Sequence, residues 1–355
     1  MWSGIYVGSN DRVYIGLSTH GDAATFYEFN PVTEKMRLLA NLSEVAKERG
    51  RGVWTTGKIH VQMQELDGWI YFGALCEDNG PPAVDFSSYQ GIHWYRAEMA
   101  TGKVEQLGQI TRYWGVLGQT MDKQRRLIYG LAEDGRLYRY HLNDDWTEEL
   151  GRVDDWDICR TIFADDDGNV YGSWSGGNVW KLDAATGRII DFDFLKLPVI
   201  NQSRTMANPM IDRRGQWRFI EWDPVDQVAY GIVGGSKQLF RFDVRDGPEG
   251  KITLLAEMCA PPFRGGDPFK IPPATLALAL SQRERKIYFI PVLEGDFDYG
   301  AVKLDEKLPD GLSGEGRPSL SFMVSYDLET RERRDIGLLR TAEGRKAYGS
   351  GGARI

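Results

Sequence analysis

Cysteine is scarce in this chain of 355 residues: Cys76, Cys159 and Cys259 are all there is. None sits in a Cys-x-x-Cys or Cys/His spacing, which argues against a disulfide framework or a structural zinc site and leaves small buried apolar side chains. Long apolar runs are missing too. No stretch approaches the ~18 residues of a membrane span, and the start, Met1-Trp2-Ser3-Gly4-Ile5-Tyr6, has neither the basic residues nor the apolar core of a signal peptide. A soluble protein of unassigned localisation is expected, with no membrane partner. Positive charge is in deficit: 43 Lys and Arg against 51 Asp and Glu give a formal net charge of −8. No global field would hold phosphates, so nucleic acid is not an expected partner, although a local basic pocket stays open. Gly-x-Ser-x-Gly, Gly-x-Gly-x-x-Gly and the P-loop are absent. No cofactor is expected, with a structural metal ion left open.

Turns and aromatics are plentiful. The 41 glycines fall mostly at turns, and eleven tryptophans suit many short strands packed face to face. The clearest unit is Asp165-Asp166-Asp167-Gly168-Asn169-Val170-Tyr171-Gly172, followed by Val179-Trp180-Lys181-Leu182 and an Asp183…Thr186-Gly187 turn. It reads as strand, tight turn, strand, turn, alternating strand, turn, strand. Its small-or-aliphatic-plus-Tyr element recurs at Val13-Tyr14, Ile70-Tyr71, Ile128-Tyr129, Ala229-Tyr230 and Ile287-Tyr288. The steps are roughly 58 residues, with one shorter step of roughly 42, and each copy leads into an alternating aromatic strand such as Leu137-Tyr138-Arg139-Tyr140. Radial repetition of small sheets follows: an all-β chain forming a β-propeller of four-stranded antiparallel blades, with six complete repeats visible in a single domain, 1–355.

Three stretches interrupt the repeats: 76–90 in the second unit, 195–216 between the fourth and fifth, and 294–318 in the sixth. Long loops on a rigid sheet are where function tends to be carried. A polar link through Glu44, Lys47 and Glu48 predicts a helical turn. The remnant 346–355 is too short for a blade and could close the ring by pairing with the N-terminal strand.

In a propeller the first strand of each blade lines the central channel. Counting about ten residues back from each Tyr pair samples Ser3, His60, Gly118, Arg160, Phe219 (or Arg218, allowing one extra turn residue) and Ala277. Large titratable groups at one ring level are not needed for packing, and they suggest a polar cup for an anion. His60 reads either as a satisfied structural histidine or as a general acid or base. Arg160 and Arg218 read either as braces between blades or as bidentate clamps on a carboxylate. His93 borders the second-unit insertion, and Arg112 and Tyr113 open the first strand of the third unit. Lys58, Trp114 and Arg204 complete the candidate substrate-binding set. His20 and His141 read as surface residues. The Asp165 to Gly168 run lacks the further ligands of a calcium loop, and turn chemistry explains it.

Lys58-Ile59-His60 leading into Asp67-Gly68-Trp69-Ile70-Tyr71-Phe72 resembles a stretch of the propeller polysaccharide lyases that cleave ulvan and other uronate glycans. Ile158-Cys159-Arg160-Thr161, Trp217-Arg218 with Trp222-Asp223-Pro224, and the terminal Ala353-Arg354-Ile355 are similar as well. The resemblance implies seven blades, which it favours over six, and cleavage of an acidic oligosaccharide or polysaccharide by β-elimination. That chemistry must neutralise the uronate carboxylate, remove the C5 proton and protonate the leaving oxygen. By resemblance Arg160, with Arg218 as a second candidate, takes the first role, His60 the second, and Tyr113 or His93 the third. The pattern is broken where related chains carry a further histidine, since Leu75 stands near that place, and their His/Cys zinc ligands are not found. Two other readings stay open: a non-catalytic glycan- or protein-binding propeller, and a metal-dependent lactonase-type sugar enzyme, which would need carboxylates and amides converging on the channel.

Overall fold

The computed structural model describes residues 4–17, 24–48, 56–76, 91–153, 161–197, 216–233, 238–259, 275–293 and 320–340. They form six four-stranded antiparallel sheets, the blades of a β-propeller. Blade one uses Ile5–Val7, Val13–Gly16, Thr25–Asn30 and Lys35–Asn41, and blade two Gln64–Leu66, Trp69–Gly73, Ile92–Glu98 and Val104–Thr111. Blade three uses Val116–Asp122, Leu127–Ala132, Arg136–His141 and Trp146–Arg152; blade four Phe163–Ala164, Val170–Trp174, Asn178–Leu182 and Ile189–Lys196. Blade five is Trp217–Asp223, Val228–Val233, Gln238–Asp243 and Lys251–Glu257, and blade six Thr275–Ser281, Lys286–Leu293, Leu320–Asp327 and Arg333–Leu338. Among the described residues the blade count is therefore six, not the seven that the resemblance favours, because each aliphatic-Tyr repeat is used once. The remnant 346–355 and the insertion 294–318 lie outside the described residues.

The repeat has a local cause. In every blade the hairpin joining the first two strands contains a residue with positive φ: Asp11, Gly68, Arg126, Gly168, Gln227 and Arg285. Glycine takes this conformation without cost, so the Asp-Gly signature appears at Gly68 and Gly168 and is hidden elsewhere. Asp122, Asp165 and Asp223 cap these turns by accepting the amide N–H of Arg125, Asn169 and Val225. The tyrosine that follows is then anchored, as when the hydroxyl of Tyr14 accepts from Asn10 and that of Tyr230 donates to Asp226.

The chain divides into two compact units, Met1–Trp174 with Val179–Phe192, and Ser175–Asn178 with Asp193–Ile355. The first unit's core carries an aromatic row from blade one to blade two, Tyr14, Phe26, Phe72 and Tyr95, with ring centroids 4.7–6.1 Å apart. Trp94 fits beside it only because residue 130 is glycine, whose absent Cβ would strike the indole. The second core gathers Tyr230, Leu239, Phe289 and Val324. The predicted helical turn is present at Leu42–Val45, where it includes Glu44 and ends before Lys47 and Glu48, and it is capped by the Asn41 side chain. No helix among the described residues is long and apolar enough to cross a membrane.

Candidate functional site

His60 is 2% exposed, between Ile59 and Val61 of the first core. Polar residues on the first strand of blade three, with Gln62 two residues after His60, act as braces. The Gly73 N–H donates to Oε1 of the fully buried Gln119 at 2.7 Å, and Gln119 Nε2 donates to the Tyr71 carbonyl at 3.0 Å, stitching blade three to blade two. The Ala164 N–H donates to Thr120 Oγ1 at 3.0 Å, joining blade four to blade three. Gln62, with its amide nitrogen turned toward carbonyls, donates to Gln119 and Ile162 at 3.3 Å. Sequence reasoning missed these amides and hydroxyls because it sought titratable groups; the available signal was a polar residue in an otherwise apolar inner strand.

Arg160 and Arg204 lie outside the described residues, as do His20, Cys159 and the insertion 77–90. Arg218 belongs to the second unit, on the first strand of blade five, its guanidinium 5.8 Å from the Phe219 ring centroid. Cys259 is buried and forms no disulfide among the described residues. His141 is partly exposed, with its ring stacked on the exposed Trp146 at 4.5 Å and its Nε2 near Glu148. Both Asp165 carboxylate oxygens are occupied by their own hairpin, from the Asn169 amides and the Tyr171 hydroxyl. No group of three or more His, Cys, Asp or Glu able to hold a metal occurs among the described residues.

What the structure does bring together is an aromatic and cationic edge between blades two and three. Arg112 and Tyr113 do not open the first strand of blade three, which begins at Val116; they sit with Trp114 in the connection before it, where Tyr113 and Trp114 are 49% and 44% exposed. Thr111 makes this connection firm. Its Oγ1 accepts the Tyr113 and Trp114 amides at 3.2 and 2.7 Å and donates to the Trp114 carbonyl at 2.6 Å. The Gly115 N–H donates to Glu133 at 3.0 Å. Arg112 lies over Tyr113 at 5.5 Å. Gly115 packs so closely on Leu75 that a Cβ would collide with it, and Leu75 pairs with Lys58 in a small two-stranded sheet. Leu75 thus links the strand of Lys58 to the connection that carries Arg112, Tyr113 and Trp114.

His93 stands just behind this edge. Its neighbour Ile92 pairs with Thr111, and His93 itself pairs with Gln109. Burial pushes the imidazole below its usual pKa, against the opposing pull of the Gly91 carbonyl, 2.9 Å from Nδ1, and of the Asp145 carboxylate. With Nδ1–H donating to that carbonyl, a neutral His93 keeps its Nε2 lone pair available.

No family model matches the sequence. No curated protein matches it. Solved structures share the fold. A chain from a mitotic checkpoint complex aligns over 97% of this chain and 81% of its own, at 10% identity and a TM-score of 0.54. Kuenenia stuttgartiensis hydrazine synthase is 10% identical over 80% of this chain and 67% of its own, with a TM-score of 0.47. A Bacteroides thetaiotaomicron protein of unknown function is 14% identical over 72% and 58%, at 0.44. At 10% identity the likeness to the checkpoint-complex chain speaks to the fold alone.

Proposed function

We propose that the protein recognises an acidic oligosaccharide, of the uronate-containing class, at the edge between blades two and three. The observation that carries this reading is the Thr111-locked connection, which holds two aromatic residues adjacent in the chain half-exposed, with Arg112 over the Tyr113 ring. A large exposed ring has no packing reason to stay in water, and its face suits the apolar face of a sugar. Cations at its margin suit the sugar's carboxylate. The test is titration of uronic-acid oligosaccharides, read by tryptophan fluorescence. Binding that falls about tenfold or more in Trp114→Ala, with the circular dichroism spectrum unchanged, supports the site. Binding unaffected by Trp114→Ala and Tyr113→Ala sinks it.

β-Elimination at the same edge is a second reading, favoured by His93. A buried neutral imidazole with one nitrogen committed to a carbonyl is suited to proton removal, and Tyr113, two residues after Thr111, the strand partner of Ile92, is a candidate proton donor. In this reading His60 serves the frame, because a side chain 2% exposed cannot meet a polymer without rearrangement. The ultraviolet absorbance of an unsaturated uronate separates the readings: a rise that His93→Ala abolishes means cleavage, and binding without a rise means recognition only.

A further inference from the structure

Blades two and three carry the same three-residue ladder across their outer three strands. Tyr71 faces Arg96 and Arg96 faces Glu105; Tyr129 faces Arg139 and Arg139 faces Glu148. In each, one glutamate oxygen accepts two guanidinium N–H groups, at 2.9 and 2.7 Å in blade two and 3.1 and 2.5 Å in blade three. Blade five begins the same ladder, with Tyr230 facing Arg241, but the position opposite Arg241 is Thr253. The carboxylate is missing. Arg241 turns one nitrogen to Asp243 on its own strand, at 3.0 Å, and keeps further donors.

At this gap a cleft of about 470 Å3 opens between blades five and six, within the second unit. Arg241 and Thr253 form part of one wall, and Arg331 of blade six, which pairs with no carboxylate among the described residues, adds a second guanidinium. The acidic residue in the lining, Asp226, is already engaged by Arg285 at 2.7 Å and by the Tyr230 hydroxyl at 3.2 Å. The cleft therefore has two cationic groups and no uncommitted carboxylate, with Leu255 and Leu328 as apolar lining.

We propose that this cleft binds a small aliphatic carboxylate, whose charged group takes the place on Arg241 that Glu105 and Glu148 take in the sister blades, while its hydrocarbon part lies on Leu255 and Leu328. The volume falls within the range of small-molecule sites, and a charge-assisted bond to arginine is the strong kind. Arg331 supplies a second contact to the same carboxylate or, for a dicarboxylate, to its other end.

Glutarate titrated into the full chain by calorimetry tests this, with the neutral glutaramide as control. Saturable glutarate binding is expected, weakened about tenfold or more in Arg241→Gln and Arg331→Gln, with glutaramide failing to compete. Thr253→Glu is the sharper variant. It supplies the ladder's carboxylate from within, so it should abolish glutarate binding while raising the melting temperature, and it tests the proposal even where Arg241→Gln disturbs folding. No saturable binding by the wild type, or binding that Thr253→Glu leaves intact, overturns the proposal.

Discussion

Asp223 is a buried carboxylate that keeps its charge. Burial alone would raise its pKa, but the Arg285 guanidinium, at 3.1 and 2.8 Å from its two oxygens, and the Val225 amide hold it below the ordinary value. A depressed folded-state pKa contributes stability that is present above the unfolded value and lost as pH falls through the folded one. Arg285→Ala should cost about 3 kcal/mol at neutral pH, since it strands a buried charge, and denaturant unfolding measures the loss directly. Glu48 has the opposite sign. It is 3% exposed, its Oε2 has no hydrogen-bond partner among the described residues, and burial pushes its pKa up to about 7. A raised carboxyl pKa means stability present below the unfolded value and lost as pH rises through the folded one. Glu48→Gln should be more stable than wild type by about 2 kcal/mol at pH 8 and equal to it near pH 4, a crossover visible in melting temperature against pH.

Among elements, the connection 112–115 shows how one side chain can present others. Thr111 satisfies two amides and a carbonyl that would otherwise need water, so the rings of Tyr113 and Trp114 are held without packing of their own. Thr111→Val keeps the shape and removes those bonds. Under the proposed function its glycan affinity should fall several-fold while the melting temperature moves by only a few degrees, as fluorescence titration and thermal melts would show. Gln119→Leu should behave the other way. It leaves the Gly73 N–H and the Tyr71 carbonyl unpaired inside the first core, a loss of about 2–4 kcal/mol measured by denaturant unfolding, with little direct effect on the exposed rings. The strands themselves were legible because a half-buried ribbon needs period-two alternation and a turn at each end. The hairpins were legible only where glycine holds the positive φ; Arg126, Gln227 and Arg285 occupy the same conformation with no sequence mark.

Across the molecule, an acidic balance constrains any anionic ligand. Under the proposed function, and with a net charge of −8, a carboxylate-bearing glycan would approach against a repulsive field and be held by local cations, so binding should vary less with salt than for a basic protein of the same contacts. Titration at low and moderate ionic strength measures this; a steep loss of affinity with salt would contradict it. The fold class and the six repeats follow from the order of residues, since each described blade is a run of neighbouring strands whose polarity pattern lies in the local chain, whereas a seventh blade rested on the resemblance alone and is not found among the described residues. The site does not follow in that way. Spacing along the repeat selected His60 for exposure to the channel, yet it is buried between two core residues of the chain, whereas Tyr113 and Trp114 stay exposed in a connection tied by a threonine hydroxyl. The gap opposite Arg241 likewise became visible only through strand register, because Glu105 and Glu148 follow their arginines by nine residues while Thr253 is reached through a longer hairpin. Burial and register are properties of pairs of residues far apart in sequence, and only tertiary packing decides them.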